Sequence, residues 1–405
     1  MKGEKTRLAG GVATLAPPAL RFAALPPLSL YIHIPWCVRK CPYCDFNSHE
    51  ARGDRPEREY LAALIADLDA SLPLVWGRRI STVFFGGGTP SLMAGETIDA
   101  ILAAVRARLP LNPDAEITLE ANPGTAEAGK FRAFREAGVN RLSIGIQSFN
   151  PRHLKALGRI HDDNEARRAI EIAAREFDNF NLDLMYGLPE QSIDEALADI
   201  DAALTFGPRH LSAYHLTLEP NTYFHRYPPK LPDDDAAAAM QDAIEARLGA
   251  AGYGHYETSA FALPGARCAH NLNYWTFGDY LGIGAGAHGK ISFPERILRQ
   301  MRYKQPAQFM TKAAAGNAVQ EQHEVSTQEV GFEFMMNALR LNGGFESRLF
   351  TERAGVPLTA VLRELDAAEE RKLITRDHLR IAPTGLGRRF LNDLLQIFLR
   401  DEESA

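Results

Sequence analysis

Residues 28–230 alternate short β-rich runs with amphipathic helical stretches, a rhythm that predicts an α/β fold: a partial (βα)6 barrel, with a mainly helical, winged-helix-like domain at the C-terminal end. Two observations carry the barrel and a third the appended domain. The runs LSLYIHI, STVFFGG, EITLEAN, RLSIGIQS, FNLDLMYG and HLSAYHLTLE are rich in the β-branched and aromatic residues that suit a pleated surface. Between them, EYLAALIADLDASL, ETIDAILAAVRARL, FRAFREAG, NEARRAIEIAARE and IDEALADIDAALTF repeat apolar residues every three or four positions with charges opposite, the pattern of helices with one buried face. Beyond about residue 300 the rhythm stops, and QEVGFEFMMNALRL, PLTAVLRELDAAEER and GRRFLNDLLQIFL flank a hairpin candidate, LITRDHLRIA.

These boundaries divide the chain into a flexible N-terminal tail over 1–27, the barrel over 28–230, a barrel extension over 231–305 and a C-terminal helical domain over 306–405. In the first 27 residues glycines, prolines and Arg21 interrupt anything like a signal-peptide core, and no stretch approaches a membrane span. A cytoplasmic protein is expected. Hydrophobic residues make up 45% and charged residues 24%, ordinary for a globular chain, and the net charge of −6 supplies no basic excess for nucleic acid or an anionic membrane. Residues 301–405 carry 14 Lys+Arg against 15 Asp+Glu, so the winged-helix-like domain reads as a lid or docking surface rather than a nucleic-acid reader.

Cys37, Cys41 and Cys44 stand in YIHIPWCVRKCPYCDF as a C-x3-C-x2-C triplet. Iron–sulfur cubes ordinarily take four cysteines, so three corners held and one iron left open imply an exchangeable ligand. The amine and carboxylate of S-adenosylmethionine (SAM) suit that iron, and the reduced cluster can then cleave the sulfonium to a 5′-deoxyadenosyl radical, chemistry that belongs to the cofactor. A zinc site would need His33 or His49 as a fourth ligand and a less usual spacing. A disulfide suits neither the length nor the sparse cysteines, and Cys268 reads as a lone buried thiol.

In such barrels chemistry collects at the carboxyl ends of the strands, and the informative residues sit there. Cys37 follows the first strand, Gly86–Pro90 end the second, Glu120 and Asn122 the third and Gln147 the fourth, while Asp183 lies late on the fifth. Glycines let a backbone approach a ligand closely, so GGGTP can cradle the methionine end of the cofactor. Glu120 and Asp183 can accept hydrogen bonds from its amine or ribose, Arg159 can pair with a carboxylate, and Gln147 can bridge such groups or cap local backbone. Singly, each also reads as an ordinary surface or capping residue; together they predict one shared pocket.

The motifs Y-I-H-I-P-W-C-V-R-K-C-P-Y-C-D-F, F-F-G-G-G-T-P, L-E-A-N-P, G-I-Q-S-F and D-L-M-Y-G-L-P together resemble the radical SAM enzymes grouped around oxygen-independent coproporphyrinogen III dehydrogenase, over roughly residues 28 to 400. The nearest branch by resemblance is its haem-chaperone branch. The resemblance implies a 4Fe-4S cluster on Cys37, Cys41 and Cys44, and SAM contacts at Tyr31, Tyr43, Gly87, Gly88, Thr89, Glu120, Gln147, Arg159 and Asp183. It also implies that residues 306–405 resemble the C-terminal domain of the dehydrogenase. Position 43 departs from the Phe of the dehydrogenase but keeps a backbone contact available.

Two features separate the branches. The dehydrogenase pattern continues to another cysteine two residues after the third, whereas here Asp45 and Phe46 follow Cys44, which weighs against porphyrinogen decarboxylation. The run HNLNYW, from His270 to Trp275, matches the H-N-x-x-Y-W pattern of the chaperone branch. By that resemblance His270 offers an imidazole to haem iron, with Tyr274 and Trp275 as flat apolar surface; His288 in GIGAGAHGK, His215 and His255 compete for the role. The expected function is haem binding and transfer to respiratory haemoproteins, from an upstream haem donor and with peripheral membrane contact left open. The alternative is a radical SAM enzyme acting on a porphyrin.

Overall fold

The structure is a computed structural model describing residues 20–399 except 52, 54 and 126. Each sequence-predicted barrel strand forms: β1 (Leu28–Ile34), β2 (Ile80–Gly87), β3 (Leu111–Ala121), β4 (Arg141–Gln147), β5 (Phe180–Tyr186) and β6 (His210–His215). The third begins five residues earlier than EITLEAN, and the sixth stops at His215, leaving Leu216–Glu219 as a loop. The strands pair in parallel and in chain order, with Leu30 beside Val83 and Leu142 beside Phe180.

Five helices cover the outside: α1 (Glu57–Ser71), α2 (Gly95–Arg108), α3 (Ala128–Ala137), α4 (Asp163–Glu176) and α5 (Ile193–Leu204). The last two start at full capping boxes, Asp162 with Glu165 and Ser192 with Glu195, where each side chain satisfies the other residue's free N–H. Buried Ile32, Val83, Phe85, Leu119, Ile144 and Leu182 form the continuous apolar layer between sheet and helices.

The sheet does not end with six strands. After α6 (Asp234–Ala250), β7 (Gly254–Glu257) and β8 (Ala260–Ala262) add antiparallel strands beyond β6. The chain then passes through α7 (Ala269–Trp275), which contains HNLNYW, to β9 (Asp279–Ile283), a seventh parallel strand on the free edge of β1. Antiparallel β10 (His288–Phe293), β11 (Arg296–Arg302) and β12 (Val319–Glu324) follow, completing a twelve-stranded sheet.

Residues 306–324, placed by sequence in the C-terminal unit, therefore belong physically with the barrel. α8 (Pro306–Ala314) packs on α1, with the Phe309 ring 5.6 Å from that of Tyr60, and β12 pairs with β11. The C-terminal domain follows: α9 (Glu329–Ala338), α10 (Ser347–Ala354) and α11 (Leu362–Glu370), with a three-stranded sheet of β13 (Phe345–Glu346), β14 (Ile374–Arg376) and β15 (Arg380–Pro383). This order of helices and hairpin is winged-helix-like. Phe334 is its hub, its ring edge-on to Phe345 and Phe350 at 5.0 Å and to Phe277 of the barrel extension at 5.7 Å.

Of the tail expected over 1–27, residues 1–19 lie outside the described residues; the rest is anchored. Leu20 is buried in the C-terminal core, Arg21 N–H donates to Gly355 O at 2.8 Å and Phe22 N–H to Pro294 O at 3.0 Å. Two apolar side chains amid prolines are enough to dock an otherwise irregular segment.

Candidate functional site

A cavity of about 450 Å³ opens at the carboxyl ends of β1–β6. Its wall on one side is the loop after β1. Trp36–Cys37 pairs with His49–Glu50, turning the loop back on itself, and Cys44 N–H donates to Cys41 O at 3.1 Å. Phe224 N–H, on the short helix Tyr223–Arg226 after β6, donates to Pro42 O at 3.0 Å and ties the loop to the far side of the barrel.

All three cysteines of the triplet line the cavity. Each sulfur has a polar neighbour: Thr89 Oγ1 donates to Cys37 Sγ at 3.5 Å, Arg159 Nη1 donates to Cys41 Sγ at 3.6 Å, and Ser48 Oγ lies 3.8 Å from Cys44 Sγ. Burial pushes the Cys37 and Cys44 thiols up. That favours the neutral thiol in the bare protein, and metal coordination deprotonates it. Three soft donors on one cavity wall fit three irons of a cube; Cys268, which also lines the cavity, is buried and donates its thiol to Glu116 Oε1 at 3.5 Å.

The glycine turn ending β2 is held against this loop. Gly88 N–H donates to Ile34 O and Thr89 N–H to Trp36 O, both at 2.7 Å. A Cβ at Gly88 would stand 2.5 Å from Trp36 O, so the close approach requires glycine. Gly87, Gly88 and Thr89 all face the cavity.

Opposite stand two half-buried carboxylates. Glu120 accepts from Gly87 N–H at 3.2 Å, and its acid is pushed up to about 8, first by burial and then by the charge of Asp183. Asp183 accepts from Ser143 Oγ at 2.8 Å and Asn181 Nδ2 at 2.7 Å, and burial pushes it up as well. Two acids with raised pKa values in one cleft are suited to a cationic, hydrogen-bond-donating ligand. Gln147 lies in a left-handed conformation, φ 68°, beside a register break between β4 and β5, which aims its side chain into the cleft mouth. Arg159 Nη2 donates to Gly145 O at 2.7 Å, fixing the guanidinium between Cys41 and β4.

Of the residues singled out from sequence, Cys37, Cys41, Cys44, Tyr43, Gly87, Gly88, Thr89, Glu120, Gln147, Arg159 and Asp183 share this cavity. Tyr31 stands behind its wall, its hydroxyl 3.0 Å from His33 Nδ1 and its ring stacked 6.3 Å from that of Phe84. Of the haem candidates, His215 lines the cavity, whereas His255, His270, Tyr274, Trp275 and His288 do not. His270 is 1% exposed, with Nδ1 2.7 Å from Thr82 Oγ1 and Nε2 3.2 Å from Tyr274 Oη; burial lowers its pKa to about 3. Tyr274 packs edge-on to Tyr280, Trp275 lies under the Arg340 guanidinium, and His288 is exposed at the start of β10. Of HNLNYW, Asn271 is the residue that lines the cavity.

Sequence reasoning missed the cavity floor: Thr118, Ser143, Asn181, His210, Ser212 and Tyr214. The signal was present. Thr118, Glu120 and Asn122, then Ser143, Gly145 and Gln147, then Asn181 and Asp183, then His210, Ser212 and Tyr214 alternate along their strands, and period two puts each set on the lumen face.

A partial parallel barrel with a three-cysteine loop after its first strand and a glycine cradle at the end of its second defines a radical SAM protein, and residues 31–203 match the Radical SAM superfamily. Residues 325–390 match the HemN C-terminal domain. The chain is 50% identical to heme chaperone HemW of Escherichia coli, over 93% of this chain and 99% of that one, and 46% identical to HemW of Haemophilus influenzae over the same shares. HemW of Bacillus subtilis is 35% identical over 92% of this chain and 99% of its own length. Among solved structures, E. coli coproporphyrinogen III oxidase, HemN, superposes with a TM-score of 0.79 over 92% of this chain and 90% of its own, at 24% identity, a likeness of fold. This chain belongs to the HemW family of haem chaperones within the radical SAM superfamily. Among the described residues no helix is long and apolar enough to cross a membrane.

Proposed function

We propose that this protein is a cytoplasmic haem chaperone: it carries a 4Fe-4S cluster with SAM, binds haem, and passes it to respiratory haemoproteins. The observation that carries the reading is the pairing of a three-thiol wall with two half-buried carboxylates in one cavity, in a chain half identical to a heme chaperone along nearly its whole length. Cys37, Cys41 and Cys44 would hold three irons. Gly87, Gly88 and Thr89 would receive the methionine end of SAM, with Glu120, Gln147, Arg159 and Asp183 on its polar groups, Tyr43 beside it and Tyr31 supporting the wall from behind. A reduced cluster supplies an electron to the sulfonium when both are bound. The residues themselves bind, orient and shield: Arg159 sets a positive charge beside Cys41, and Glu120 is poised to give up its proton as a cation enters.

Phe46 occupies the position of the dehydrogenase's additional cysteine, and it is exposed at the cavity rim. A thiol near the substrate is therefore missing from where porphyrinogen decarboxylation would draw on it. The test is to reconstitute the cluster anaerobically, then measure haem binding, haem transfer to an apo-haemoprotein, and coproporphyrinogen III conversion on the same preparation. Haem bound and transferred without protoporphyrinogen is expected. Stoichiometric decarboxylation without haem transfer would replace this reading with that of a porphyrin-modifying enzyme.

A further inference from the structure

Imidazole is a common axial ligand of haem iron, and the fold sorts the histidine candidates by access. Two histidines line the cavity, His210 and His215. His210 is spent on structure: Nδ1 lies 2.7 Å from Asn181 Oδ1 and Nε2 2.8 Å from Tyr256 Oη, both buried. His215, the last residue of β6, is exposed to the opening, and among the described residues neither of its ring nitrogens has a hydrogen-bond partner.

The ring is nevertheless held. It stacks on Tyr186, centroids 5.2 Å apart and planes 26° from parallel. Its Cδ2–Nε2 edge lies over Gly187, where φ is 68° and a Cβ would come within 2.6 Å of Cδ2 and 2.7 Å of Nε2, so Nδ1 is the ring nitrogen farther from this seat. A glycine thus makes the seat and an aromatic ring makes its back, which fixes an imidazole without a hydrogen bond among the described residues. Partial burial lowers its pKa, so the neutral, ligating form prevails at pH 7.

The surroundings fit a flat apolar macrocycle bearing two carboxylates. Phe46 is 61% exposed and Tyr214 41% exposed, and both line the same opening as His215. Exposed large aromatics at a cavity mouth are surface that a ligand is built to cover. Arg39, exposed on the cysteine loop, lines that opening too and can pair with a propionate.

We propose that His215 is the axial ligand of haem iron, with the macrocycle seated across the cavity mouth against Phe46 and Tyr214 and a propionate on Arg39. The proposal rests on the haem-chaperone reading and places the cargo over the cluster and SAM cavity, away from buried His270 and outlying His288.

The test is an absorbance titration of the anaerobically reconstituted full chain with haemin, with iron–sulfur content measured on each sample. Wild type, His215→Ala, His215→Met, Phe46→Ala, His270→Ala and His288→Ala are compared. His215→Ala is expected to weaken haemin binding at least about tenfold and to shift the Soret band, at unchanged iron–sulfur content. Added imidazole should restore the wild-type spectrum, and His215→Met should retain binding with an altered one, which separates lost ligation from misfolding. Phe46→Ala should weaken binding less. Unchanged affinity and spectrum in both His215 variants, or loss confined to His270→Ala or His288→Ala, overturns the assignment of His215 while leaving the chaperone reading standing. A wild-type protein that binds no haemin overturns both.

Discussion

His270 Nδ1 sits 2.7 Å from Thr82 Oγ1, and Thr82 in turn donates to Ser29 Oγ at 2.7 Å, so the first residue of HNLNYW is bonded into β2 and β1. Asn273 extends the link, its Nδ2 donating to Ser29 Oγ and to Asp279 O, both at 2.8 Å. Glu116 on β3 accepts from Ala269 N–H and His270 N–H, closing the start of α7. The His270 ring also stacks 4.9 Å from that of Phe84, whose other environment is the cavity. HNLNYW is thus the peg that joins barrel strands, cavity wall and the seventh parallel strand.

His270→Ala should accordingly lower stability by about 1–3 kcal/mol, because Thr82 loses a buried partner. Denaturant titration measures it. A variant as stable as wild type would remove α7 from this structural role.

The barrel and the C-terminal domain are clasped by Arg299 and Glu333, a two-pronged pair with Nη2–Oε2 2.6 Å, while Arg299 Nη1 donates to Tyr280 Oη at 2.7 Å. Both side chains are largely shielded, whereas the pair Arg296–Glu324 is exposed. Glu333→Ala should cost about 2–3 kcal/mol and speed proteolysis between 303 and 328, whereas Glu324→Ala should change stability by less than about 0.5 kcal/mol. Equal effects would remove the clasp from the account.

Much of this was legible. Short runs rich in β-branched and aromatic residues, recurring between amphipathic helices, located all six barrel strands, because such residues suit strands covered by helices. The cysteine spacing located the loop that walls the cavity. What stayed hidden depends on contacts distant in sequence: nothing in DYLGI announces that it pairs with β1, since a short apolar run does not encode its neighbour. Residues 306–324 were misplaced for the same reason, their partners being α1 and β11. The haem candidates His270, Tyr274 and Trp275 form a motif in sequence, but the fold turns His270 and Tyr274 against each other in the interior and sets Trp275 under Arg340, and burial is decided by the whole fold.

Cysteine chemistry gives a direct check on the cavity wall. Cys37→Ser, Cys41→Ser and Cys44→Ser should each lose the cluster, read by iron counting and paramagnetic resonance, while Cys268→Ser, whose thiol points to Glu116, keeps it. Full iron in Cys41→Ser would sink the ligand set.

The cradle is equally specific. Gly88→Ala should weaken SAM binding at least about tenfold, because its Cβ would strike the Trp36 carbonyl that holds the turn. Gly129→Ala, within α3 and with open space around it, should instead stabilise the protein by about 0.5–1 kcal/mol. Isothermal titration and thermal melts read the two outcomes, and unchanged SAM affinity in Gly88→Ala would move the cofactor away from this turn.

Glu120 makes the cavity pH-dependent. Burial and then Asp183 raise its pKa to about 8, with the Gly87 N–H bond opposing. The folded pKa lies above the unfolded value, so the ligand-free fold holds a proton that the unfolded chain releases. The Glu120 contribution is therefore fully present below about pH 4.5 and is lost as pH rises through about 8. A cationic ligand reverses the preference, because it pairs with the carboxylate and expels the proton. SAM affinity should thus rise as pH increases from 6 towards about 8 and then level off, and Glu120→Gln should bind more weakly with that part of the pH slope gone. In the ligand-free protein the same variant should remove the corresponding fall in melting temperature. Calorimetric titration in buffers of different ionisation enthalpy counts the proton released, and a wild-type affinity independent of pH over this range would show that Glu120 does not meet the ligand's charge.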